Sequence, residues 1–322
     1  MAVYTKIDNN DVISLSNNYK IDKITKFKGI KKGIENTNYL LKTNKKKFIL
    51  TIFEKRVQKK DLPFFMNLME KLSQKKIICP KPLKNSKGKH LSKIKQKQTC
   101  IVTYLEGTDK TNLNYKNCFD IGKNIAKFHK ISTKIKLYRQ NSMSVNKLDT
   151  LLKSIKFKSN KTLPELKPTL DACLKNIKSQ WPKKLPEGII HGDLFIDNIF
   201  FKKNKFSGFI DFYFSSNDYL MYEIAICINA LCFDKKRNSF VMNNKKIKNL
   251  IDGYENIRLF SKKEKNALNV LCRGAALRYL LTRIYDYFNT PKTALIQIKN
   301  PNEYLQKLII HNNLSNYKDY YK

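Results

Sequence analysis

The chain has 322 residues, 42% hydrophobic and 11% aromatic, which is enough to bury a sizeable core and excludes wholesale disorder. Its 64 Lys and Arg outnumber 26 Asp and Glu, for a net charge of +38. The lysines run from "NKKK" (Asn44–Lys47) to "KKEK" (Lys262–Lys265) without a single basic block, which speaks for compositional bias over a nucleic-acid surface. Such charge favours solubility and steers anionic substrates, less so in salt. No apolar run approaches the roughly 18 residues of a membrane span. The start, "MAVYTKIDNND", lacks a basic stretch followed by an apolar one, so secretion is not expected. Seven scattered cysteines, never spaced C-x-x-C, argue against a disulfide framework or zinc site and for a reducing cytoplasm.

In chain order, "ITKFKGI" (Ile24–Ile30), "TNYLLKT" (Thr37–Thr43) and "KFILTIFE" (Lys47–Glu54) predict strands of an antiparallel meander. "LPFFMNLMEKLSQ" (Leu62–Gln74) predicts a helix with Pro at its first turn, its stripe Phe64, Phe65, Leu68 turned to the core. "QTCIVTYLEG" (Gln98–Gly107) is another predicted strand. Helices are then predicted over 118–132, 147–157, 170–181, 217–233 and 262–289, from amphipathic or apolar patterning. A β-rich part, residues 1–104, is thus expected to join a mainly helical part, residues 105–322, in an α+β chain.

Within the helical part, between the helices predicted over 170–181 and 217–233, lies "IIHGDLFIDNIFF" (Ile189–Phe201), followed by "KKNKFSGFID". The second stretch predicts a hairpin, with Asn204 able to take the positive φ of a tight turn. Centring it between Asn204 and Lys205 sets Asn198 opposite Asp211, with Cβ atoms about 5 Å apart. A carboxamide and a carboxylate so placed suit Mg²⁺. Asp193, five residues before Asn198, is free to act as a base. His191 and Gly192 frame it. Taken singly, Asp197, Asn198 and Asp211 read as capping or strand-end residues; HGDxxxxN with an aspartate thirteen residues on is a specific set.

"HGDLFIDNIFF…GFIDF" resembles the catalytic loop and metal-binding segment of the aminoglycoside phosphotransferase and choline kinase superfamily, relatives of protein kinases. The resemblance implies a two-lobed kinase-like fold, Asp193 as base toward a substrate hydroxyl, and Asn198 and Asp211 holding Mg²⁺–ATP. "IGKNIAKFH" (Ile121–His129) resembles the helix before that loop. "IVTYLEG" (Ile101–Gly107) resembles the linker whose backbone meets adenine, which brings in Tyr104 and Glu106. Gly29 and Gly33 make no G-x-G-x-x-G; Asn36, Thr37 and Asn38 would either supply donors to the phosphates or form a polar turn. The strand cation of protein kinases is replaced by Thr51, with Lys55 or Arg56 as substitutes and Glu70 as the helix carboxylate. Glu223 would brace the loop or be an ordinary helix residue.

Over nearly the whole chain, segments such as "GIENTNYLL", "IDFYFSSNDYLMYEIAICINALCF" and "RGAALRYLLTRIYDYFNTP" are similar to the bacterial homoserine kinase family of this fold. That implies phosphorylation of the L-homoserine side-chain hydroxyl on the way to threonine. For the substrate carboxylate, Arg273, Arg278 and Arg283 are the candidates; for its ammonium, Asp218. An i,i+3 pair of Arg283 with Asp286 is the structural alternative for that arginine. The rival readings are a kinase of choline, an aminoglycoside or another small alcohol, a non-catalytic relative, and a nucleic-acid-binding module resting on charge alone. The expected partner is a small molecule, with no nucleic acid and no membrane. Trp181 is assigned to the core; His90 and His311 have no assigned role.

Overall fold

The computed structural model describes residues 4–30, 36–54, 57–155, 157, 166–289 and 299–321. The chain divides into two compact units. The first comprises residues 1–108 with 200–202 and 207–213; the second comprises 109–199, 203–206 and 214–322. The boundary expected after residue 104 thus falls four residues later, and pieces of the hairpin segment belong to the first unit.

In the first unit, α1 (Asn9–Tyr19) precedes β1 (Ile24–Gly29), β2 (Thr37–Thr43) and β3 (Lys47–Ile52); α2 (Leu62–Gln74) precedes β4 (Leu91–Ile94) and β5 (Lys97–Thr103). The strands form one antiparallel sheet in the order β1-β2-β3-β5-β4. Leu41, Leu50 and Ile101 from three adjacent strands are fully buried, and Val12, Leu15 and Tyr19 of α1 pack into the same cluster. The sequence does not predict α1, whose apolar face is interrupted by Asn and Ser. Its cap secures it: the Asp8 carboxylate accepts from the N–H groups of Asn10 and Asp11, and Asp11 accepts from the Asp8 N–H. On α2, Phe64, Phe65 and Leu68 are buried as expected.

In the second unit, α3 (Tyr115–Ser132), α4 (Leu148–Ser154) and α5 (Leu166–Gln180) lead to β6 (Glu187–Ile190). After β7 (Ile199–Lys202) and β8 (Lys205–Phe209) comes β9 (Ser216–Tyr219), antiparallel to β6 with Gly188 opposite Asp218. So residues 217–219, predicted helical, are strand; α6 (Leu220–Leu231) starts after them. The hairpin β10 (Phe233–Lys236) and β11 (Ser239–Met242), α7 (Asn244–Glu255), α8 (Lys262–Asn289) and α9 (Asn302–Asn312) complete it. Of these, α8 has the predicted bounds, whereas α7, α9 and the β10–β11 hairpin are not foreseen. Trp181 packs against α8 at Gly274 and edge-on to Tyr222.

The turn between β7 and β8 consists of Lys203 and Asn204, both at positive φ (48° and 62°). It is a type I′-like turn, matched to strand twist. It is centred one residue earlier than the sequence count assumes. The count that set Asn198 opposite Asp211 therefore does not hold, and Asp211 instead stands beyond the end of β8 with φ +63°.

Helices α3 and α7 meet through two glycines. A Cβ on Gly122 would lie 2.0 Å from the Leu250 carbonyl oxygen, and one on Gly253 would lie 2.0 Å from that of Phe119. Neither backbone can yield without moving its helix. Gly122→Ala is expected to cost about 3 kcal/mol or more through overpacking, read as a lowered urea midpoint; an unchanged midpoint would contradict this close approach.

Candidate active site

The loop after β6 is built around a buried acid. Glu223, on α6, is fully buried, and its carboxylate accepts the N–H groups of His191 and of Gly192, the latter at 3.1 and 3.3 Å. Gly192 has φ +78°, and a Cβ there would lie 2.9 Å from the Phe214 carbonyl oxygen, so glycine is required. Behind Glu223, His129 of α3 lies with Nε2 3.9 Å from the carboxylate, beyond hydrogen-bond range. Its Nδ1 is 2.8 Å from the Tyr254 hydroxyl. Burial drives the pKa of His129 down, against the pull of Glu223. His191 is itself fully buried. Its buried ring and its N–H on Glu223 give it a place in the frame of the loop.

Asp193 stands just past this anchor, partly exposed. The Asn198 side-chain amide donates to its carbonyl oxygen at 2.8 Å and to Oδ2 at 3.3 Å. The Tyr279 hydroxyl, from α8, lies 3.4 Å from Oδ1 and 3.3 Å from the Gly192 carbonyl oxygen. Because Asn198 spends its Nδ2 on the loop, its carbonyl Oδ1 is the end available to a cation.

The three arginines of α8 do different things. Five residues turn a helix by about 140° beyond a full turn, so Arg273, Arg278 and Arg283 face three directions. Arg273 donates to Asn312, Gln180 and Asn176. Arg283 donates to Glu303 at 2.7 Å and to the Asn300 carbonyl. Arg278 is 3% exposed, and its Nε and Nη1 have no hydrogen-bond partner among the described residues. Its guanidinium stacks 4.8 Å from the Tyr279 ring centre. Burial opposes its charge, but Tyr279, Tyr222 and Asp193 outweigh that and hold its pKa above the usual value. Arg278 also acts on Asp218 of β9. The Asp218 carboxylate accepts from the Asn141 amide at 2.6 Å and from the Tyr219 N–H at 2.7 Å. Burial nevertheless raises its pKa.

Within the first unit, Asp211 is exposed and in the left-handed region, which Asp tolerates better than most residues and which concentrates at functional sites. Two residues on, Tyr213 meets Phe53 and Phe65 edge-on (5.1 and 5.8 Å). Thr51, where a strand cation was sought, donates to Asn38 Oδ1 at 2.8 Å, leaving the Asn38 Nδ2 as a donor. Asn36 accepts the Glu54 N–H through Oδ1. Thr37 is fully buried; its hydroxyl accepts from Tyr4 and Thr5 N–H and donates to Glu54. Thr37 is thereby withdrawn as a phosphate donor. Glu54 also binds Lys97 and the Thr5 hydroxyl. Glu70 pairs with Lys84 (2.8 Å) and His90 (3.1 Å), so it is bound away from β3. Lys55, Arg56 and Gly33 lie outside the described residues. In the linker, the Tyr104 N–H reaches the Lys47 carbonyl at 3.3 Å, and the Glu106 carbonyl accepts from Ser207. The exposed Glu106 side chain lies 3.5 Å from Lys47 and 3.8 Å from Lys202.

Sequence reasoning missed Tyr279, Asn141 and Lys97. Tyr279 adjoins Arg278 in "ALRYLL", but no local pattern shows that a tyrosine there reaches a loop 86 residues earlier. Among the described residues there is no group of three or more His, Cys, Asp or Glu fit to hold a metal. Asn198 Oδ1 and the Asp211 carboxylate, one in each unit, are each the kind of oxygen that Mg²⁺ takes alongside water and phosphate.

The model of the phosphotransferase enzyme family matches residues 26–260. A homoserine kinase of Allorhizobium ampelinum is 42% identical over 97% of this chain and 96% of its own. One from Agrobacterium fabrum is 40% identical over 99% and 98%. Among solved structures, the amicoumacin kinase hAmiN (14% identity, TM-score 0.71, 95% and 92% covered) and the spectinomycin phosphotransferase APH(9)-Ia (12%, 0.67, 98% and 98%) share the fold. The chain belongs to the phosphotransferase enzyme family, in its homoserine kinase branch.

Replacing Glu223 by Ala strands two buried N–H groups, each costing about 1–3 kcal/mol. Glu223→Ala should lower both unfolding free energy in urea and turnover, by at least tenfold for turnover if the loop loses its seat. Full turnover in a destabilised but folded variant would show that the acid holds the fold and not the loop.

Proposed function

We infer that this chain phosphorylates the side-chain hydroxyl of L-homoserine, using Mg²⁺–ATP, to give O-phospho-L-homoserine for threonine biosynthesis. The observation that carries it is identity of 40–42% to homoserine kinases over nearly their full length. The kinases of antibiotics, choline and ethanolamine among the structural neighbours are 16% identical or less and bear on fold alone.

ATP, when bound, supplies the phosphoryl group, and Mg²⁺ offsets charge on its phosphates. Asp193 orients the homoserine hydroxyl and takes its proton. Asn198, through Oδ1, and Asp211 hold the cation. Residues Tyr104 to Glu106 meet the adenine, and the Asn36 and Asn38 amides donate to phosphate. Arg278 takes the substrate carboxylate: of the three arginines it alone has fully buried donors, Nε and Nη1, without a hydrogen-bond partner among the described residues. Asp218 takes the ammonium, since each carboxylate oxygen can accept more than one bond. Arg273 and Arg283 drop out as recognition groups: Arg273 donates through Nε, Nη1 and Nη2 to protein oxygens, and Arg283 is paired with Glu303 through Nη1. No helix of the described residues is long and apolar enough to cross a membrane. The seven cysteines are all free thiols, which suits the cytoplasm.

Asp193→Asn should lower kcat about a thousandfold while calorimetry finds ATP affinity unchanged; near-normal turnover removes Asp193 as the base. A coupled ADP-release assay across small alcohols should show L-homoserine turned over far faster than choline, kanamycin or 4-amino-1-butanol. Equal rates with 4-amino-1-butanol, which lacks the carboxylate, would remove carboxylate recognition.

A further inference from the structure

Between α3 and α4 the chain runs along β9. The Asn217 N–H donates to the Arg139 carbonyl at 2.8 Å, the Arg139 N–H donates to Asn217 Oδ1 at 2.9 Å, and Gln140 bridges to Asn217 in the parallel sense. Arg139 Nη1 also donates to the Ser215 carbonyl at 3.1 Å. These bonds bring Asn141 to the next residue of the strand, Asp218. Asn141 is 6% exposed, and both ends of its carboxamide are engaged: Oδ1 accepts the Met143 N–H at 2.8 Å, and Nδ2 donates to Asp218 Oδ2 at 2.6 Å. The other carboxylate oxygen of Asp218, Oδ1, accepts the Tyr219 N–H at 2.7 Å. Two donors, one per oxygen, fix the rotation of this carboxylate. Neither donor carries a charge, so the anion is oriented without being cancelled.

We propose that Asn141 is the positioning residue for amine recognition: it holds Asp218 as an oriented, uncancelled anion, so that a hydroxy acid carrying an α-ammonium is selected over one without it. The inference rests on the reading that Asp218 takes the substrate ammonium. The selection has two parts. An ammonium meets an acceptor that is already oriented and has a lone-pair site still open on each oxygen. A substrate with a carboxylate and no ammonium meets an anion it cannot satisfy, and like charges in a part-buried setting repel. Burial raises the pKa of Asp218; the Asn141 bond is the foremost of the opposing influences, ahead of the Tyr219 N–H and the Arg278 charge. The carboxamide that aims the group thus also favours its charged form.

The test compares L-homoserine with 4-hydroxybutanoate, the same molecule without its amine. The first is followed by its KM and the second by its inhibition constant against L-homoserine, both with Mg²⁺–ATP. Asn141→Leu removes the donor at similar volume. It should raise the KM for L-homoserine about tenfold, keep kcat within about twofold, and leave inhibition by 4-hydroxybutanoate unweakened. Asp218→Asn should show the same split, and adding Asn141→Leu to it should raise the KM no further, since Asn141 acts through Asp218. Asn141→Ala removes the same donor with a smaller side chain, so the test survives a poorly folding leucine variant. Losses that fall equally on the two ligands in both Asn141 variants, or an unchanged KM for L-homoserine, would make Asn141 a strut of its own segment and overturn the proposal while Asp218→Asn still separates the ligands. If Asp218→Asn fails to separate them as well, the ammonium reading itself fails, and the proposal falls with it.

Discussion

Two peptide N–H groups at the end of β6 need an acceptor in a dry interior. The pairing of β6 with β9 ends at Ile190 and Ser216, so the next donors, those of His191 and Gly192, have no strand opposite them. Left unmet they would cost about 1–3 kcal/mol each. Glu223 accepts both, and much of the second unit follows from placing that acid. Helix α6 carries it and is apolar on every face, "LMYEIAICINAL", with all but one of its residues buried. A helix packed on all sides cannot rotate, and the carboxylate is therefore fixed relative to β6. The charge is met by backbone dipoles rather than by a cation: His129, the nearest ring, lies 3.9 Å away, and its burial opposes protonation. An ion pair there would have to offset two desolvation costs, whereas two N–H groups that need an acceptor anyway bring no charge of their own.

The same logic extends to α8, which places Arg278 and Tyr279 beside Asp193. Its far portion is tied to α9 by a part-buried group of charges: Glu303 accepts from Arg283 at 2.7 Å and from Lys307 at 2.6 Å. Lys307, 2% exposed, also donates to the Asn229 carbonyl at 2.7 Å, and its ammonium lies within about 5 Å of three aromatic rings. Burial pushes the Lys307 pKa down against the pull of Glu303. Such clusters contribute little net stability but are costly to break, so they specify one docking of α9 on α8 over sliding alternatives.

What the sequence makes legible is local. The strands β1, β2, β3 and β5, and helices α2 and α8, show in patterning because one period dominates each stretch. The motif that carries Asp193, Asn198 and Asp211 stands out because close spacing and rare composition coincide. What stays hidden depends on the third dimension. Helix α1 is held by an Asp8 cap more than by its apolar face, and α7 and α9 carry too many Lys and Asn for a clear stripe. The turn at Lys203 and Asn204 uses a lysine at positive φ, which no propensity predicts, and one residue of error there displaced the expected Asn198–Asp211 pairing. Thr37 reads as a polar turn residue, yet it is spent on Tyr4, Thr5 and Glu54. The partner of Glu70 is likewise nonlocal: Lys84 and His90 take it, and the histidine left without a role thereby acquires a structural one.

In a chain with 64 Lys and Arg, the presence of a cation says nothing about anion recognition. Exposed ammonium groups are hydrated, mobile and screened, and most surface pairs contribute under about 1 kcal/mol. A cation that recognises a ligand differs in having given up water without replacing it. Arg273 has replaced it with three side-chain acceptors, and Arg283 with a carboxylate and a carbonyl. Arg278 has done neither for Nε and Nη1, although it is among the most buried charged groups described. Its desolvation is offset by the field of Asp193 and Asp218, by the face of Tyr279 and by the neighbouring Tyr222. A guanidinium in that state is preorganised: the cost of stripping and orienting it is met in folding, and a carboxylate arriving later would meet donors that need no reorganisation. Helix geometry decides which arginine this is. The turn of about 140° between successive arginines sends one toward the loop and two away from it, so identical side chains on one helix divide into one with buried, unmet donors and two bonded to protein oxygens.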